Sequence, residues 1–520
     1  MDGTLTGVER HPQSMAAAAT RQPVGEALHL PRHAGPRFIP TTIADLPDGA
    51  LHTILDLLGP RDLVAAAATC RRWGALASDA ASDRAWRAFF TRRWRTADAS
   101  VGDTLGVCTA LPWRAAYGRR VAEAAALASA RPALDSLAGG HRGPARAVAL
   151  LPSAGVVASG GADRVVRLFD LAAGLPVSTS RPLPWAVRCL AAGGTALAAA
   201  SGSDARIALW RAGGSGESVC GGRAVPPWDV GRRPATLQGH SGPVAGVALG
   251  EEGGATPPRL YSASWDCSVR VWDVSAAGAA SPCLAAKALA DWVWSAAPRG
   301  GRVVCAEGRG AAVLDGETLA LLARVPPFST AQAAAPYTLS TPVAPCARVD
   351  GSRDGRTLFV AHADSGVASY DLRAPGRHGP ASPARSALLV PPGTPSFPAA
   401  TSIAFDDPWL ALGLGPSGVV LLDARRGGEG SAGGAPSPSS FRRLGTGATA
   451  AGGVLGVDLA GPWLAAACSS GTVLTWRWDA AAAAAARAVG ARAAGSHGRP
   501  RQCPPQAAVA ESWEDAAIAA

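Results

Sequence analysis

The segment from Leu237 to Val274 recurs, in weaker copies, along most of the chain. It has Gly239-His240 near its start and Trp272-Asp273 near its end. Between these two pairs, short apolar and β-branched runs alternate with turn residues, a pattern that predicts a small antiparallel sheet. Regular recurrence of such a unit is typical of repeat architectures, in which similar sheets pack against one another.

Six further segments follow the plan of Leu237–Val274. They span residues 137–170, 187–210, 293–315, 346–371, 403–423 and 454–479. Together with the first segment they make seven units, a number that closes a ring without further members. The connecting segments 212–234, 322–345, 374–398 and 426–453 are rich in Gly, Pro and Ser, and we interpret them as partly disordered loops between units.

The unit at Leu237–Val274 resembles a WD repeat, which forms one blade of a β-propeller. The resemblance implies that its polar motif residues form a buried chain of hydrogen bonds within the blade. Those residues are His240, Ser262, Asp266 and Trp272. Each supplies a donor or acceptor that the sheet's own ladder leaves unsatisfied, so their role is structural and they do not indicate catalysis.

A helical pattern precedes the repeats. Leu51, Ile54, Leu55 and Leu58 lie at i, i+3, i+4 and i+7, and Gly59-Pro60 ends this helix. A second helix follows and leads to Cys70-Arg71-Arg72-Trp73, and a third places Trp86, Phe89, Phe90 and Trp94 on one side.

These helices resemble an F-box, the domain that docks on the Skp adaptor of an SCF ubiquitin ligase. The residues that carry the resemblance are Leu46-Pro47, Ile54, Leu58, Pro60, Leu63, the Cys70–Trp73 block, Leu76 and Trp86. The adaptor-binding residues that it implies are Leu46, Pro47, Leu51, Ile54, Leu58 and Leu63. Three short helices cannot bury all their large side chains on each other, which favours a partner. Alternatively, Leu46 and Leu51 simply cover the neighbouring helical linker.

We therefore predict a small all-α F-box domain followed by an all-β seven-bladed WD40 β-propeller. The predicted boundaries are a disordered lead at 1–40, the F-box at 41–95, a helical linker at 96–131, the propeller at 132–480 and a disordered or partly helical tail at 481–520. The linker helix runs from Pro112 to about Ala130, and in the F-box family such a helix holds the two domains at a fixed distance. The tail sequence by itself indicates no site.

The rim of the propeller channel is the predicted site of target binding. Aligned on Val244, the next residue in each unit is Arg146, Arg188, Ala245, Trp294, Ala347, Thr401 or Leu455. The predicted rim residues are Arg146, Arg188 and Trp294, with Trp185, Trp265, Trp292 and Arg348 as neighbours. Trp and Arg are common in interface hot spots, and arginine grips carboxylate or phosphate in a bidentate manner. The alternative is that Trp265 and Trp292 pack between blades and that the arginines are solvated.

Composition limits the other functions open to this chain. No apolar run reaches the length of a membrane span, the 10 Cys form no Cys-x-x-Cys pair, and no phosphate loop or catalytic motif occurs. We therefore expect no cofactor, no metal and no membrane contact, and a location in the cytoplasm, the nucleus or both. The net charge of +10 is nearly all arginine. Codon bias explains this arginine content better than nucleic-acid binding does, since no basic run has interleaved aromatics.

The expected function is substrate recognition in an SCF-type ubiquitin ligase. The F-box would bind the Skp adaptor and through it a cullin, while the propeller would bind a protein target, acidic or phosphorylated, for ubiquitination and proteasomal degradation. The chain itself would be non-catalytic. Two alternatives stay open: a WD40 scaffold without a ligase role, and binding of RNA through the basic surface.

Overall fold

The computed structural model describes the central part of the chain. The described residues are 43, 46–78, 80–94, 112–129, 131–137, 139–193, 196–201, 204–211, 219–220, 223–224, 229–250, 259–275, 283–307, 310–325, 348–351, 356–361, 367–376, 379–390, 400–424, 441–445 and 452–478. The predicted lead at 1–40, the tail at 481–520 and most of the predicted loops lie outside these residues. The chain divides into two compact units, Met1–Leu51 and His52–Ala520.

Helices occupy the described part of the chain before residue 130. They are α1 (Asp48–Asp56), α2 (Pro60–Ala67), α3 (Arg71–Leu76), α4 (Ala80–Trp94) and α5 (Trp113–Ser129). Pro60 occupies the first turn of α2, where its missing N–H would have no helical acceptor in any case. Asp83 of α4 accepts a hydrogen bond from the backbone N–H of Trp113 at 2.7 Å and so caps the start of α5.

The sequence pattern predicts three helices, with the Cys70–Trp73 block at the end of the second. In the structure this block instead begins a separate short helix, α3. The backbone of Cys70 is extended, with φ −158° and ψ 164°, so α2 cannot continue into α3. The linker helix α5 agrees with the sequence pattern that runs from Pro112 to about Ala130.

Seven four-stranded antiparallel sheets follow the helices and form the predicted seven-bladed propeller. β1 (Ala133–Ser136) comes first in the chain. Blade 1 is β2 (Ala145–Leu151), β3 (Val156–Gly161), β4 (Val166–Asp170) and β5 (Pro176–Thr179). Blade 2 is β6 (Val187–Ala192), β7 (Ala196–Ser201), β8 (Ile207–Arg211) and β11 (Ala235–Leu237), with the two-stranded sheet of β9 (Val219–Cys220) and β10 (Arg223–Ala224) between β8 and β11.

The remaining blades have the same plan. Blade 3 is β12 (Val244–Leu249), β13 (Arg259–Ser264), β14 (Ser268–Asp273) and β15 (Cys283–Ala288), and blade 4 is β16 (Ser295–Arg299), β17 (Arg302–Ala306), β18 (Ala311–Asp315) and β19 (Leu321–Val325). Blade 5 is β20 (Arg348–Gly351), β21 (Thr357–Ala361), β22 (Val367–Gly376) and β23 (Gly379–Val390), and blade 6 is β24 (Ser402–Asp406), β25 (Trp409–Gly413), β26 (Val419–Asp423) and β27 (Phe441–Leu444). Blade 7 is β28 (Val454–Ala460), β29 (Trp463–Cys468), β30 (Val473–Arg477) and β1.

The two ends of the repeat region close the ring. β1 pairs antiparallel with β30, so that Leu134 lies opposite Trp476 and Ser136 lies opposite Leu474. The strand before Gly140-His141, the first Gly-His pair of the repeats, therefore belongs to the last blade. Closure also gives the outer edge of β30 a partner, which removes an edge that could otherwise recruit another chain.

Aspartates near the ends of three inner strands connect adjacent blades. Asp350 accepts a hydrogen bond from the backbone N–H of Phe405 at 2.8 Å, and Asp406 accepts one from Gly461 at 2.7 Å. Asp458 accepts one from Leu150 at 2.7 Å across the seam between blades 7 and 1. Each carboxylate thus satisfies a donor of the following blade, in addition to the apolar packing between the sheets.

Candidate interaction surfaces

Blade 3 contains a continuous chain of buried polar side chains. His240 contacts Asp266 through Nδ1 at 2.8 Å and Ser262 through Nε2 at 2.7 Å, and the indole Nε1–H of Trp272 donates to the Ser262 hydroxyl at 2.7 Å. The backbone N–H of Ser241 also donates to Asp266, at 3.0 Å. These are the residues that the WD-repeat pattern assigns to a structural network, and each of them is engaged within its own blade.

Blade 1 has a shorter version of this network. His141 contacts Asp163 at 2.8 Å and Ser159 at 2.8 Å, but Phe169 stands where blade 3 has Trp272 and supplies no N–H donor. The Ser159 hydroxyl therefore has one side-chain partner fewer than Ser262.

Burial governs the protonation of the two network histidines. Desolvation lowers the pKa of His240 and of His141, against the opposing influence of the aspartates beside them. In Asp266, desolvation tends to raise the pKa, but the hydrogen bonds from Ser268 and His240 outweigh it and lower the pKa. Neutral imidazoles beside ionised carboxylates suit a fixed structural network.

The rim position is created by a β-bulge at the start of the inner strand. In blades 1, 2, 3 and 7 the register between the first two strands shifts by one residue, and the extra residue is Arg146, Arg188, Ala245 or Leu455 respectively. A bulge leaves its residue unpaired and redirects its side chain. The same structural device thus places one side chain from each of these four blades at one end of the channel.

These bulge residues line a common cavity of about 340 Å³ at the end of the channel. Arg146, Arg188 and Trp294 lie in its wall, as do Ala245, Thr401 and Leu455. No Asp or Glu is among the described lining residues, whereas two arginines are. The cavity is therefore a cationic pocket, and we call it the rim pocket.

Three tryptophans and one arginine form a cluster beside the rim pocket. Trp265 stacks on Trp292 with ring centroids 5.6 Å apart, and Trp294 meets Trp265 edge-on at 5.1 Å. The guanidinium of Arg188 lies over Trp265 at 5.0 Å and over Trp294 at 5.7 Å from the ring centroids. Cation–π contacts of this kind hold the guanidinium in place. Trp292 is 50% exposed, so the cluster presents a flat aromatic surface to solvent.

The remaining predicted rim residues have other positions. Trp185 is 6% exposed and packs in the core between blades 1 and 2 beside Leu183 and Val187, so its assignment to the rim is wrong. Its apolar neighbours come from two blades, which the local sequence does not reveal. The side chain of Arg348 and the whole of Ala347 lie outside the described residues.

The F-box-like helices expose some predicted adaptor-binding residues and bury others. Pro47 is exposed, and Leu46, Ile54 and Leu58 are half-buried. Leu51 and Leu63 are each 1% exposed, so the structure corrects their assignment: neither offers a surface to an adaptor. Leu63 packs in a helical core with Leu55, Trp86 and Phe90.

Leu57 is an exposed apolar residue that the sequence analysis missed. It is 84% exposed and lies off the i, i+3, i+4 face that the apolar pattern identified. It borders a cavity of about 460 Å³ whose wall includes Leu58, Pro60, Phe89 and Tyr117. An exposed leucine beside an apolar cavity is suited to contact with another protein.

Helix α5 is attached to the propeller through a buried ionic cluster. The Arg120 guanidinium contacts both Asp406 carboxylate oxygens at 2.5 and 2.6 Å, and its Nη1 lies 3.5 Å from Glu123. Apolar residues Ala126 and Leu127 of α5 share a core cluster with blades 6 and 7. The indole of Trp409 donates to the carbonyl of Ala124 at 2.8 Å.

The protonation of this cluster reflects its burial. Desolvation works against the charge of Arg120, but the Asp406 and Glu123 carboxylates outweigh it and raise the guanidinium pKa. Desolvation raises the pKa of Glu123 to about 7, although Arg120 and Arg119 lower it. Arg120 and Asp406 thus act as the fixed ion pair that joins the helix to blade 6.

The described residues contain no group of three or more His, Cys, Asp or Glu side chains that could hold a metal ion. No helix within the described residues is long and apolar enough to cross a membrane.

Comparison with known proteins agrees with this architecture. The F-box-like family matches residues 43–95, and the family described as WD domain, G-beta repeat, matches residues 134–170 and 231–273. The F-box/WD-40 repeat-containing protein At5g21040 of Arabidopsis thaliana is 29% identical over 389 residues, which are 74% of this chain and 65% of that protein. The alignment thus spans less than two thirds of the relative's length. The chain thus contains an F-box-like segment followed by WD40 repeats, the combination that the Arabidopsis thaliana relative is named for.

Proposed function

We propose that this protein is a substrate receptor of an SCF-type ubiquitin ligase. In this function the F-box-like helices bind a Skp-type adaptor and through it a cullin, while the rim pocket binds a protein target. The chain catalyses nothing itself. It raises the local concentration of the target's lysines near the charged E2 enzyme. Such a receptor acts in the cytoplasm, the nucleus or both.

The observation that carries this proposal is the attachment of the linker helix α5, which follows the F-box-like helices in the chain, to the propeller. Arg120 of α5 pairs with Asp406 at the end of β24, and the apolar face of α5 completes the core of blades 6 and 7. A receptor must hold its adaptor-binding part and its target-binding part in a defined relation, and a buried ion pair within an apolar contact supplies that.

The adaptor side rests on apolar surface that the helices leave uncovered. Leu57 is 84% exposed, and Pro47 is exposed as well. A single exposed leucine is common, but Leu57 adjoins a cavity whose wall includes Leu58, Pro60 and Phe89, and continuous apolar surface of this kind favours a partner. F-box/WD40 proteins are typically non-catalytic adaptors, and binding to a Skp-type adaptor is general among F-box domains.

The target side rests on the chemistry of the rim pocket. Arg146 and Arg188 bring two positive charges to a pocket that has no acidic residue among its described lining. Arginine forms charge-assisted, bidentate contacts with carboxylate and phosphate, each worth about 1.5–3 kcal/mol when partly desolvated. An acidic or phosphorylated peptide fits this pocket, and the Trp cluster supplies an apolar anchor beside it.

Adaptor binding is tested by pull-down of a recombinant Skp-type adaptor. We expect the double variant Leu46→Ala, Pro47→Ala and the single variant Leu57→Asp each to lose most of the adaptor, while the melting transition of the propeller is unchanged. Leu175→Asp is the matched control, since Leu175 is also exposed (57%) but lies beside β5 of blade 1. Equal recovery of adaptor by all these variants would contradict the proposal and favour a scaffold without a ligase role.

Target binding is tested by affinity purification with the proteasome blocked. The double variant Arg146→Glu, Arg188→Glu should release the targets that the wild type retains, while adaptor binding is kept. If the same targets are recovered at similar yield, the rim arginines are solvated surface only. A steep salt dependence of RNA binding by the wild type would instead favour the nucleic-acid alternative.

A further inference from the structure

One segment of the same chain is complementary to the rim pocket in charge and in aromatic character. Residues 511–515 read Glu-Ser-Trp-Glu-Asp, which places three acidic residues around one Trp. No other stretch outside the described residues combines three acidic residues and a Trp within five positions. In residues 480–510, by contrast, the charged side chains are all arginine: Arg487, Arg492, Arg499 and Arg501.

We propose that residues 511–515 bind in the rim pocket of their own chain and exclude a target from it. The carboxylates of Glu511, Glu514 and Asp515 pair with Arg146 and Arg188, and the Trp513 indole packs on the exposed face of Trp292. The segment acts as an internal competitor, so a target binds only by displacing it. This inference deepens the proposed function, because it assigns regulation to the same pocket.

Charge and aromatic character both support this assignment. The described wall of the rim pocket has two arginines and no acidic residue, which complements an acidic segment. Arg188 lies over Trp265 and Trp294, which fixes the cation directly beside the aromatic surface. A ligand that contacts both the arginines of the rim pocket and the neighbouring tryptophan cluster needs an acidic group next to a flat apolar side chain. Residues 511–515 contain both within one short stretch.

The length of the connecting chain permits this contact. Residues 479–510 link the last described strand, β30, to the acidic stretch, and a chain of that length spans up to about 100 Å when extended. A domain of about 350 residues has a radius of gyration of about 20 Å, so either face of the propeller lies within reach. Intramolecular attachment raises the effective concentration of such a segment to about the millimolar range.

A fluorescent peptide of residues 505–520 tests the proposal in full-length proteins. In the tail-neutral variant, four substitutions remove the internal competitor: Glu511→Gln, Trp513→Ala, Glu514→Gln and Asp515→Asn. We expect this variant to bind the peptide at least tenfold more tightly than the wild type does, as measured by fluorescence anisotropy. Adding Arg188→Glu to the tail-neutral variant should weaken peptide binding at least tenfold.

The control variant adds Arg477→Glu to the tail-neutral protein. Like Arg188, Arg477 lies over a tryptophan, Trp463 at 5.5 Å; it is exposed, whereas Arg188 is half-buried, and it belongs to β30 and not to the rim pocket. This variant should bind the peptide as the tail-neutral protein does, and equal melting transitions verify that all variants are folded. Equal peptide binding by wild type and tail-neutral variant, or undiminished binding by the Arg188→Glu variant, overturns the proposal.

The outcome is independent of the ligase proposal. Loss of adaptor binding or of target capture in pull-downs bears on the proposed function, whereas peptide affinity requires neither an adaptor nor a target. If both proposals hold, the tail-neutral variant should also recover more target than the wild type in the affinity purification.

Discussion

Replacing Asp458 by asparagine should remove a pH-dependent loss of stability at the seam where the propeller closes. Asp458 of blade 7 accepts hydrogen bonds from the backbone N–H groups of Leu150 at 2.7 Å and Leu459 at 2.9 Å. Part of the residue reaches solvent, but its carboxyl group lies among protein atoms. Desolvation raises its pKa to about 6, although the two backbone N–H groups favour the charged form.

The raised pKa of Asp458 determines whether its contribution to stability grows or falls as the pH rises. A carboxyl group whose pKa is higher in the folded state than in the unfolded chain binds its proton more tightly when folded. Its contribution to stability is therefore fully present below pH 4 and is lost as the pH rises through 6. The shift from 3.8 to about 6 corresponds to about 3 kcal/mol over the whole range. About 2 kcal/mol of this falls between pH 4 and pH 8, and partial solvent exposure makes that an upper value.

The assay compares the melting temperatures of the wild type and of Asp458→Asn between pH 4 and pH 8. Other titrating groups, such as Glu123, are common to both proteins and cancel in the difference. We expect the melting temperature of the variant, relative to that of the wild type, to rise by about 3 °C from pH 4 to pH 8, given the unfolding entropy of a domain of this size. The variant's absolute stability is not decisive, because the amide can satisfy only one of the two N–H donors.

Asp371→Asn is the control for this assay. The hydrogen bonds from Arg373 lower the pKa of Asp371 to about 2, so this carboxylate stays charged throughout. Its stabilising effect is fully present above the pH at which an unfolded aspartate titrates, and the difference from the wild type should be flat between pH 5 and pH 8. A flat profile for Asp458→Asn as well would refute the reasoning about the seam.

Three further predictions concern the fold. Ser262→Ala should lower the free energy of unfolding by about 2–3 kcal/mol, because it leaves both the His240 Nε2 and the Trp272 indole Nε1 without a partner. Ser159→Ala in blade 1 should lower it by only about 1–2 kcal/mol, and denaturant titration would contradict this prediction if the order were reversed. Arg120→Met should lower the free energy of unfolding by about 3–5 kcal/mol, because it leaves buried carboxylates uncompensated. Adding Asp406→Asn should recover part of that loss in a double-mutant cycle. Deleting residues 133–138 should cause aggregation and loss of cooperative unfolding, because it removes β1 from its pairing with β30. Deleting residues 491–520 should leave the melting transition unchanged. Similar behaviour of the two deletions would argue against closure by β1.

Several features of this protein can be read from local sequence patterns. The Gly-His and Trp-Asp pairs at the ends of a repeated unit predict four-stranded blades, and seven copies predict a closed ring, because each blade is built from residues close together in the chain. For the same reason the partners of His240 within its own blade are predictable from the motif. The helical periodicity around Leu55 and the Pro112–Ala130 pattern likewise predict α1 and α5.

Features that depend on neighbours distant in the chain could be identified only in the tertiary structure. The sequence does not reveal that Trp185 and Leu63 are buried while Trp292 and Leu57 face solvent, because their neighbours come from other elements. The carboxylates that connect adjacent blades join residues far apart in the chain: Asp458 and Leu150 are 308 positions apart, and Asp350 and Asp406 each accept from a residue 55 positions away.

The rim pocket is predictable in part from the sequence repeat and in part only from the tertiary structure. Sequence alignment of the units places Arg146, Arg188 and Trp294 at one register position, and this position follows from the repeat alone. Only the structure shows that β-bulges redirect the two arginines into one cavity, and that Arg188 lies over Trp265 and Trp294. The physical reason is that a bulge and a contact between blades depend on the pairing and packing of the folded sheets, whereas the repeat period is a property of the chain itself.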